Sequence, residues 1–444
     1  MKFMLKPVLG AIALTLASQV AIAAEAPAKK DAGKLTVTLK AMHVIDAKDN
    51  GYDPNSGQSE LIKVKYVSPK INDIKLGMGF YMAGDFFNGT DLNSERIARG
   101  MFVTDDGSVE SNLGELYLDY NNGKVNVYGG RMIFNSPLTT SAESTMPDFH
   151  TAVGASIKAT DSLNLGVTQI TQMSYGARAM TEFGLVGEGT GTAGTTQKAS
   201  VIGQAEFHDI ADITLGAANT ESTSGITAIN ADFKASKNLM ISVWDYYAHD
   251  ISNNIYLEVN HTTPLKGNKL KLSGQYLTQS DIGDKLAGDL DFNMFGAKAA
   301  IGNKKWGGYV AMNQSSGETD MLNAWSGDPG YTSTMFSRNE YRENVTAYKL
   351  GGQYKISPKW ILSGGYANYG QSDTLAPKKV LKIAPTGLAE AQTDATELDL
   401  AITWKPTKKT MLKLVHANRT SEYDGTDGAD LTQAHTRLIG MVKF

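Results

Sequence analysis

The chain has 444 residues, no cysteine and a formal net charge of −4. Disulfides, thiolate metal sites and a cysteine nucleophile are therefore excluded, and so small a charge imbalance gives no strong pull on nucleic acid. Abundant glycine, scarce proline and a mean hydropathy of −0.25 suit either a large soluble β protein or a barrel with one lipid face and one water face.

The amino terminus joins a basic start, Lys2 and Lys6, to the apolar run Val8 to Ala17 and the A-x-A pattern Ala21-Ile22-Ala23. This is the layout of a secretory signal peptide, residues 1–23. Its removal leaves a single domain, 24–444, and takes the formal charge from −4 to −6. The apolar run is shorter than the roughly 20 residues that a membrane-crossing helix needs, and no other stretch approaches that length. No Pro/Ser-rich linker or charge block divides the chain after Lys34.

From Lys34 onward, segment after segment alternates apolar and polar residues, the mark of a strand between two media. Leu116, Leu118 and Tyr120 oppose Glu115, Tyr117 and Asp119; later Leu398, Leu400, Ile402 and Trp404 oppose Glu397, Asp399 and Thr403. Charges within such strands need water on their side. The water-facing candidates carry both signs: Lys63, Lys65, Lys271, Lys349, Lys413 and Arg437, with Glu115, Asp119, Asp232, Glu397 and Asp399.

Short connections with turn chemistry lie at Asn121-Asn122-Gly123, Thr160-Asp161, Gly302 to Lys305, Ser357-Pro358-Lys359 and Pro406 to Lys409. Long polar stretches near 85–110, 132–149, 174–197, 316–343 and 371–393 alternate with them. Short periplasmic turns and long extracellular loops would give this pattern, and a compact soluble domain rarely holds so many long loops. Alternation gives about 20 strand candidates, in the range where a barrel encloses water.

Trp306, Trp360 and Trp404 stand beside short turns, where an aromatic girdle would meet the membrane interface. The last strand alternates Leu438, Gly440, Val442 and Phe444, and its terminal Phe resembles the signal read by the barrel-assembly machinery. Hydrocarbon offers no partner to an open sheet edge, so the strand from Lys34 to Asp46 should pair with that from Thr436 to Phe444. The bland alternative is the edge strand of a soluble sandwich.

Two stretches stand out: Gly130-Arg131, then Ser136-Pro137-Leu138 and Met146-Pro147; and Trp325-Ser326-Gly327-Asp328-Pro329-Gly330-Tyr331-Thr332, then Asn339-Glu340-Tyr341-Arg342 and the strand at Tyr348. Together they resemble the OprD family of outer-membrane porins. The resemblance implies an all-β, transmembrane antiparallel barrel of about 18 strands, within roughly 16–20, with inward-folded extracellular loops. It also implies that the third and seventh loops narrow the pore and that basic residues guide small carboxylates or amino acids. Arginine is sparse here, and the mixed lumen charge departs from a purely basic row.

A pore selects at its narrowest point. The constriction and lumen candidates are Arg131, Glu143, Asp148, His150, Asp328, Arg338 and Arg342, with Lys63, Lys65, Lys349 and Arg437 on the wall; a solvated loop surface is the plainer reading of each loop charge. The run Gly189 to Gly194 matches G-x-G-x-x-G but follows no buried parallel strand. Asp424, Asp427 and Asp430 fit no full calcium loop, and the scattered histidines form no metal pair. The expectation is therefore an outer-membrane porin, non-enzymatic and without cofactor, passing small polar solutes and ions. Its surroundings would be outer-membrane lipids and lipopolysaccharide, as a monomer or homotrimer. A non-conducting surface barrel, acting as adhesin or anchor, is the alternative.

Overall fold

The computed structural model describes residues 33–48, 54–87, 108–140, 145–176, 205–216, 219–377, 389–424 and 430–444. The signal segment 1–23, Glu143, the run Gly189 to Gly194 and Asp427 lie outside the described residues.

Period-two alternation becomes extended structure almost everywhere. The first strands are β1 (Lys34–Lys48), β2 (Asn55–Val67), β3 (Ile74–Gly84), β4 (Glu110–Asn121), β5 (Val125–Met132), β6 (Phe149–Lys158) and β7 (Leu163–Ser174). A two-residue strand β8 (His208–Asp209) and a short helix α1 (Ile210–Leu215) follow. Next come β9 (Ile226–Lys234), β10 (Leu239–Ala248), β11 (Ser252–Leu265), β12 (Asn268–Asp281), β13 (Asp291–Gly302) and β14 (Trp306–Gly317). The last are β15 (Thr346–Lys355), β16 (Trp360–Tyr369), the three-residue β17 (Leu375–Pro377), β18 (Ala389–Trp404), β19 (Thr410–Tyr423) and β20 (Leu431–Lys443).

Each long strand pairs antiparallel with the next, β7 reaching past β8 to β9 and β16 past β17 to β18. The ring closes where β1 meets β20: Thr38 to Lys48 pairs with Lys443 back to Gln433, and Phe444 exchanges backbone bonds of 2.8 and 3.3 Å with Val37. The expected closure is present and extends beyond Thr436. The result is a closed barrel of 18 strands, as the family resemblance implied. Alternation alone counts about 20 because a local pattern does not say whether a run continues around the ring; β8 and β17 each pair with only one strand.

Cross-strand neighbours point the same way, so the register sorts side chains into two surfaces. On the outer one, Leu118 (57% exposed), Val310 (56%) and Leu350 (63%) present apolar side chains that a soluble protein would bury. Trp360 pairs with Trp404 across the short-turn end, their rings stacked at 5.5 Å, and Trp306 pairs with Tyr354. This is the aromatic girdle expected from the sequence. The short turns close with their own side chains: Asn122 Oδ1 accepts the amides of Lys124 and Val125 at 3.0 and 2.8 Å, and Gly123 takes a φ of 88°. A further tight turn, Lys266-Gly267, has positive φ at both residues, the conformation that matches strand twist in a two-residue hairpin.

The inner surface carries Lys63, Glu115, Asp119, Asp232, Lys271, Lys349, Glu397, Asp399, Lys413 and Arg437, each in register with other inward residues. The main apolar cluster lies toward the long-loop end. There Met173, Ile226, Tyr246, Leu277, Phe292 and Met294 from the strands pack with Leu138, Ile213, Leu322 and Trp325 from loops and α1. Burying Trp325 and its neighbours is what fixes those loops to the wall.

Candidate functional site

The loop 318–345 is tied at three places to inward-facing side chains. Its first stretch is held by Gln279, which accepts from the amide of Leu322 at 2.7 Å and donates to its carbonyl at 3.0 Å. The Tyr175 hydroxyl donates to the carbonyl of Ala324, Trp325 Nε1 donates to Thr214 of α1 at 3.2 Å, and the Ser326 hydroxyl donates to Asp148. Gly327 N then donates to the carbonyl of Leu138 in loop 133–148 at 3.1 Å. That loop has its own anchor, since the Tyr246 hydroxyl donates to Ser136 Oγ at 2.8 Å.

The second stretch, Gly330 to Ser337, lies on β18. Glu397 accepts from the Thr334 hydroxyl at 2.6 Å and from the amides of Phe336 and Ser337 at 3.0 and 2.9 Å. Asp399 accepts from the amide of Met335 at 3.0 Å, and Lys349 donates to the carbonyl of Ser333. On the opposite flank the Tyr331 hydroxyl donates to Glu258 at 2.8 Å. Buried carboxylates that receive backbone N–H groups are charge-assisted anchors, stronger than neutral bonds.

The third stretch turns on Arg342, fully buried, which donates to Gln392 Oε1 at 2.8 Å and to the carbonyl of Arg338 at 2.7 Å and covers the Tyr369 ring at 4.3 Å. Arg338 pairs with Asp328 at 2.9 Å. Glu340 beside them is fully buried; burial first, and then the charge of Asp328, push its carboxyl up to about 8.

The acids of the inner wall are each held by neighbouring donors. Glu115 accepts from Lys65 and Tyr81 and lies 3.6 Å from Lys63; Asp119 accepts from Asn126; Asp232 accepts from Ser242 at 2.6 Å. Glu397 and Asp399 hold the loop. Beneath the loop a cavity of about 740 Å³ opens, lined by Lys269, Lys271, Lys349 and Lys413, with Asp399 as the one acid among the described residues that line it. Lys298 stands close by, over the Tyr309 ring at 4.2 Å. The mixed-sign wall read from the sequence is thus present in composition, while its acids are engaged by neighbouring donors.

The sequence candidates fall in different places. Lys63 and Lys65 are on the inner wall with Glu115, and Lys349 is under the loop tip. Asp148 joins the two loops through Ser326 and also accepts the amide of Gly176 just after β7, and His150 is buried against Phe134. Asp328, Arg338 and Arg342 form one group within loop 318–345. Arg437 donates to His435 Nε2 at 2.7 Å, and His435 Nδ1 contacts Asp46 at 2.9 Å, across the β1–β20 closure. Arg131 pairs with Leu116 and Thr151 near the end of β5 and covers the Phe207 ring at 4.3 Å, apart from the loop group and the lysines. Gly130 just before it takes a φ of 127°, and a Cβ there would come within 2.2 Å of the Leu116 carbonyl oxygen. Lys269 and Lys298 were missed; Lys269 shares the period of Lys271, which is the signal that could have found it. Nothing local in the sequence announces the Asp46–His435–Arg437 series, which exists only because the ring closes.

A family model described as outer membrane porin, OprD family, matches residues 123–355. No curated protein matches the chain in sequence. Among solved structures, the chain is similar to Pseudomonas aeruginosa OpdK with vanillate (TM-score 0.66, 11% identity, 93% of this chain and 99% of that chain covered). It is similar to Pseudomonas aeruginosa OccK2 (OpdF) in complex with glucuronate (TM-score 0.67, 12% identity, 93% and 98% covered). It is also similar to Acinetobacter baumannii OccAB4 (TM-score 0.68, 14% identity, 94% and 100% covered).

Proposed function

The chain belongs to the OprD family of outer membrane porins, which sets it in the bacterial outer membrane, and on that premise we propose that it is a passive channel selective for small organic acids. The described parts of loops 133–148 and 318–345 fold inward and narrow the lumen, and the solute passes beside the tip of the second. The observation that carries this reading is the lysine-lined cavity under that tip, in which the one acid is engaged by a backbone amide. Ammonium groups facing water raise the local concentration of anions, and low-dielectric walls focus that field. The relatives solved with vanillate and glucuronate hold carboxylates, in keeping with the same class of solute. Export with removal of residues 1–23, and recognition of Phe444 by the barrel-assembly machinery, belong to the same proposal.

The test is single-channel current through the purified mature protein in a planar bilayer under a salt gradient. Discrete steps with a reversal potential of anion sign are expected. A folded barrel that never conducts would return the surface-anchor alternative, and a reversal potential of cation sign would remove the organic-acid reading.

A further inference from the structure

The two kinds of basic side chain have divided their work. The described arginines are engaged with protein groups: Arg342 with Gln392 and Tyr369, Arg338 with Asp328, Arg437 with His435, Arg419 beneath Phe336, and Arg131 over Phe207. The basic side chains that line the open cavity are all lysines. Guanidinium groups recognise one planar carboxylate through two parallel hydrogen bonds, whereas an ammonium acts as a compact point charge with no preferred plane.

The register brings these point charges together. Lys298 and Lys349 flank Ala311 on either side, so their backbones are about 10 Å apart. Lys271 is one diagonal step from Lys298, about 7–8 Å. Between them the wall is low: Ala300, Ala311 and Gly351 face inward, and Tyr309 lies flat over Gly351, where an added Cβ would come within 2.5 Å of the ring. The result is a shallow floor with several ammonium groups around it and room for a solute larger than a single carboxylate.

Resting on the organic-acid reading above, we infer that this floor selects by number of charges and that its solutes are multiply charged oxyanions, polycarboxylates or phosphorylated acids, rather than monocarboxylates. Attraction by a set of point charges is linear in the charge of the ion, so an enhancement by a factor f for a monoanion becomes f squared for a dianion and f cubed for a trianion. Lys269, Lys271, Lys298, Lys349 and Lys413, less the carboxylate of Asp399, leave a net of four positive charges, which at roughly 8 Å in a screened aqueous cavity give about tenfold per unit charge.

The experiment measures block of single-channel current at neutral pH by acetate, succinate and citrate added separately. Block constants tightening about tenfold per added charge are expected. K271Q, at an exposed wall position, should weaken citrate block about fivefold and acetate block less than about twofold, while K271R keeps the series intact; heat-modifiability on gels reports that each variant is folded. Inorganic phosphate run beside succinate separates the two solute sources, and a preference for either above the charge series upholds the inference. Equal block by acetate and citrate, or a K271Q loss that is the same for both, would overturn it. With a reversal potential of anion sign, that outcome removes this inference alone; a reversal potential of cation sign removes the organic-acid reading itself.

Discussion

Gly327 lies directly against Leu138: a Cβ on the glycine would sit 2.2 Å from the leucine Cα. Two loops with eight of the eighteen long strands between them in sequence therefore meet backbone to backbone, with the amide of Gly327 donating to the carbonyl of Leu138 at 3.1 Å. The contact needs a residue without a side chain.

Gly327→Ala should force the two loops apart. Overpacking of this kind costs about 1–3 kcal/mol. The expected readout is a changed single-channel conductance with added current noise, in a barrel that still migrates as folded. Conductance and noise matching the parent would show that the junction does not define the open path.

Glu397 receives three donors from the tip of loop 318–345. Glu397→Gln replaces one acceptor oxygen by an amide that confronts donors, and should cost about 2–4 kcal/mol at that junction. The tip should detach and conductance rise. Protease nicking within 330–337, absent in the parent and present in the variant, would be the independent sign; an intact loop with parental conductance would refute the anchor.

Burial pushes Glu340 up to about 8 from its ordinary 4.5. The folded loop therefore binds this proton more tightly than the unfolded one, so the contribution to loop stability is complete below about 4.5 and is lost as pH rises through about 8. Loop opening, read as current noise or proteolysis between pH 6 and 9, should increase with pH in the parent and stay flat in Glu340→Gln. A parent without such dependence would mean that the carboxyl is already ionised in the packed loop.

Removal of Leu431 to Phe444 deletes β20 and leaves β1 and β19 as two open edges. In lipid each unpaired backbone group costs several kcal/mol, so the truncated chain should give no heat-modifiable barrel at all. A folded, smaller barrel would indicate that β1 and β19 can re-pair.

Much of this architecture is legible in the sequence because a barrel wall is a local pattern repeated. Leu116-Tyr117-Leu118-Asp119 states its two faces by itself, and Trp360 and Trp404 mark the interface because they flank turns. The site is less legible. Alternation places Glu397 and Asp399 on the water side, and by the same rule they would weaken an anion path. That they are engaged follows from the backbone of Phe336 and Met335 arriving from a loop some 60 residues away, which no period reveals. Arg131 is less legible for another reason: its ring partner, Phe207, comes from a segment more than 70 residues further on.

The bond pair between Val37 and Phe444 leaves the two ends of the folded chain side by side at one rim. Linked there and cut at any short turn on that rim, the same ring would have a different first strand with every pairing preserved. The order in which the eighteen staves are written is thus, for the finished wall, arbitrary; what is irreplaceable is the set of neighbours each stave has.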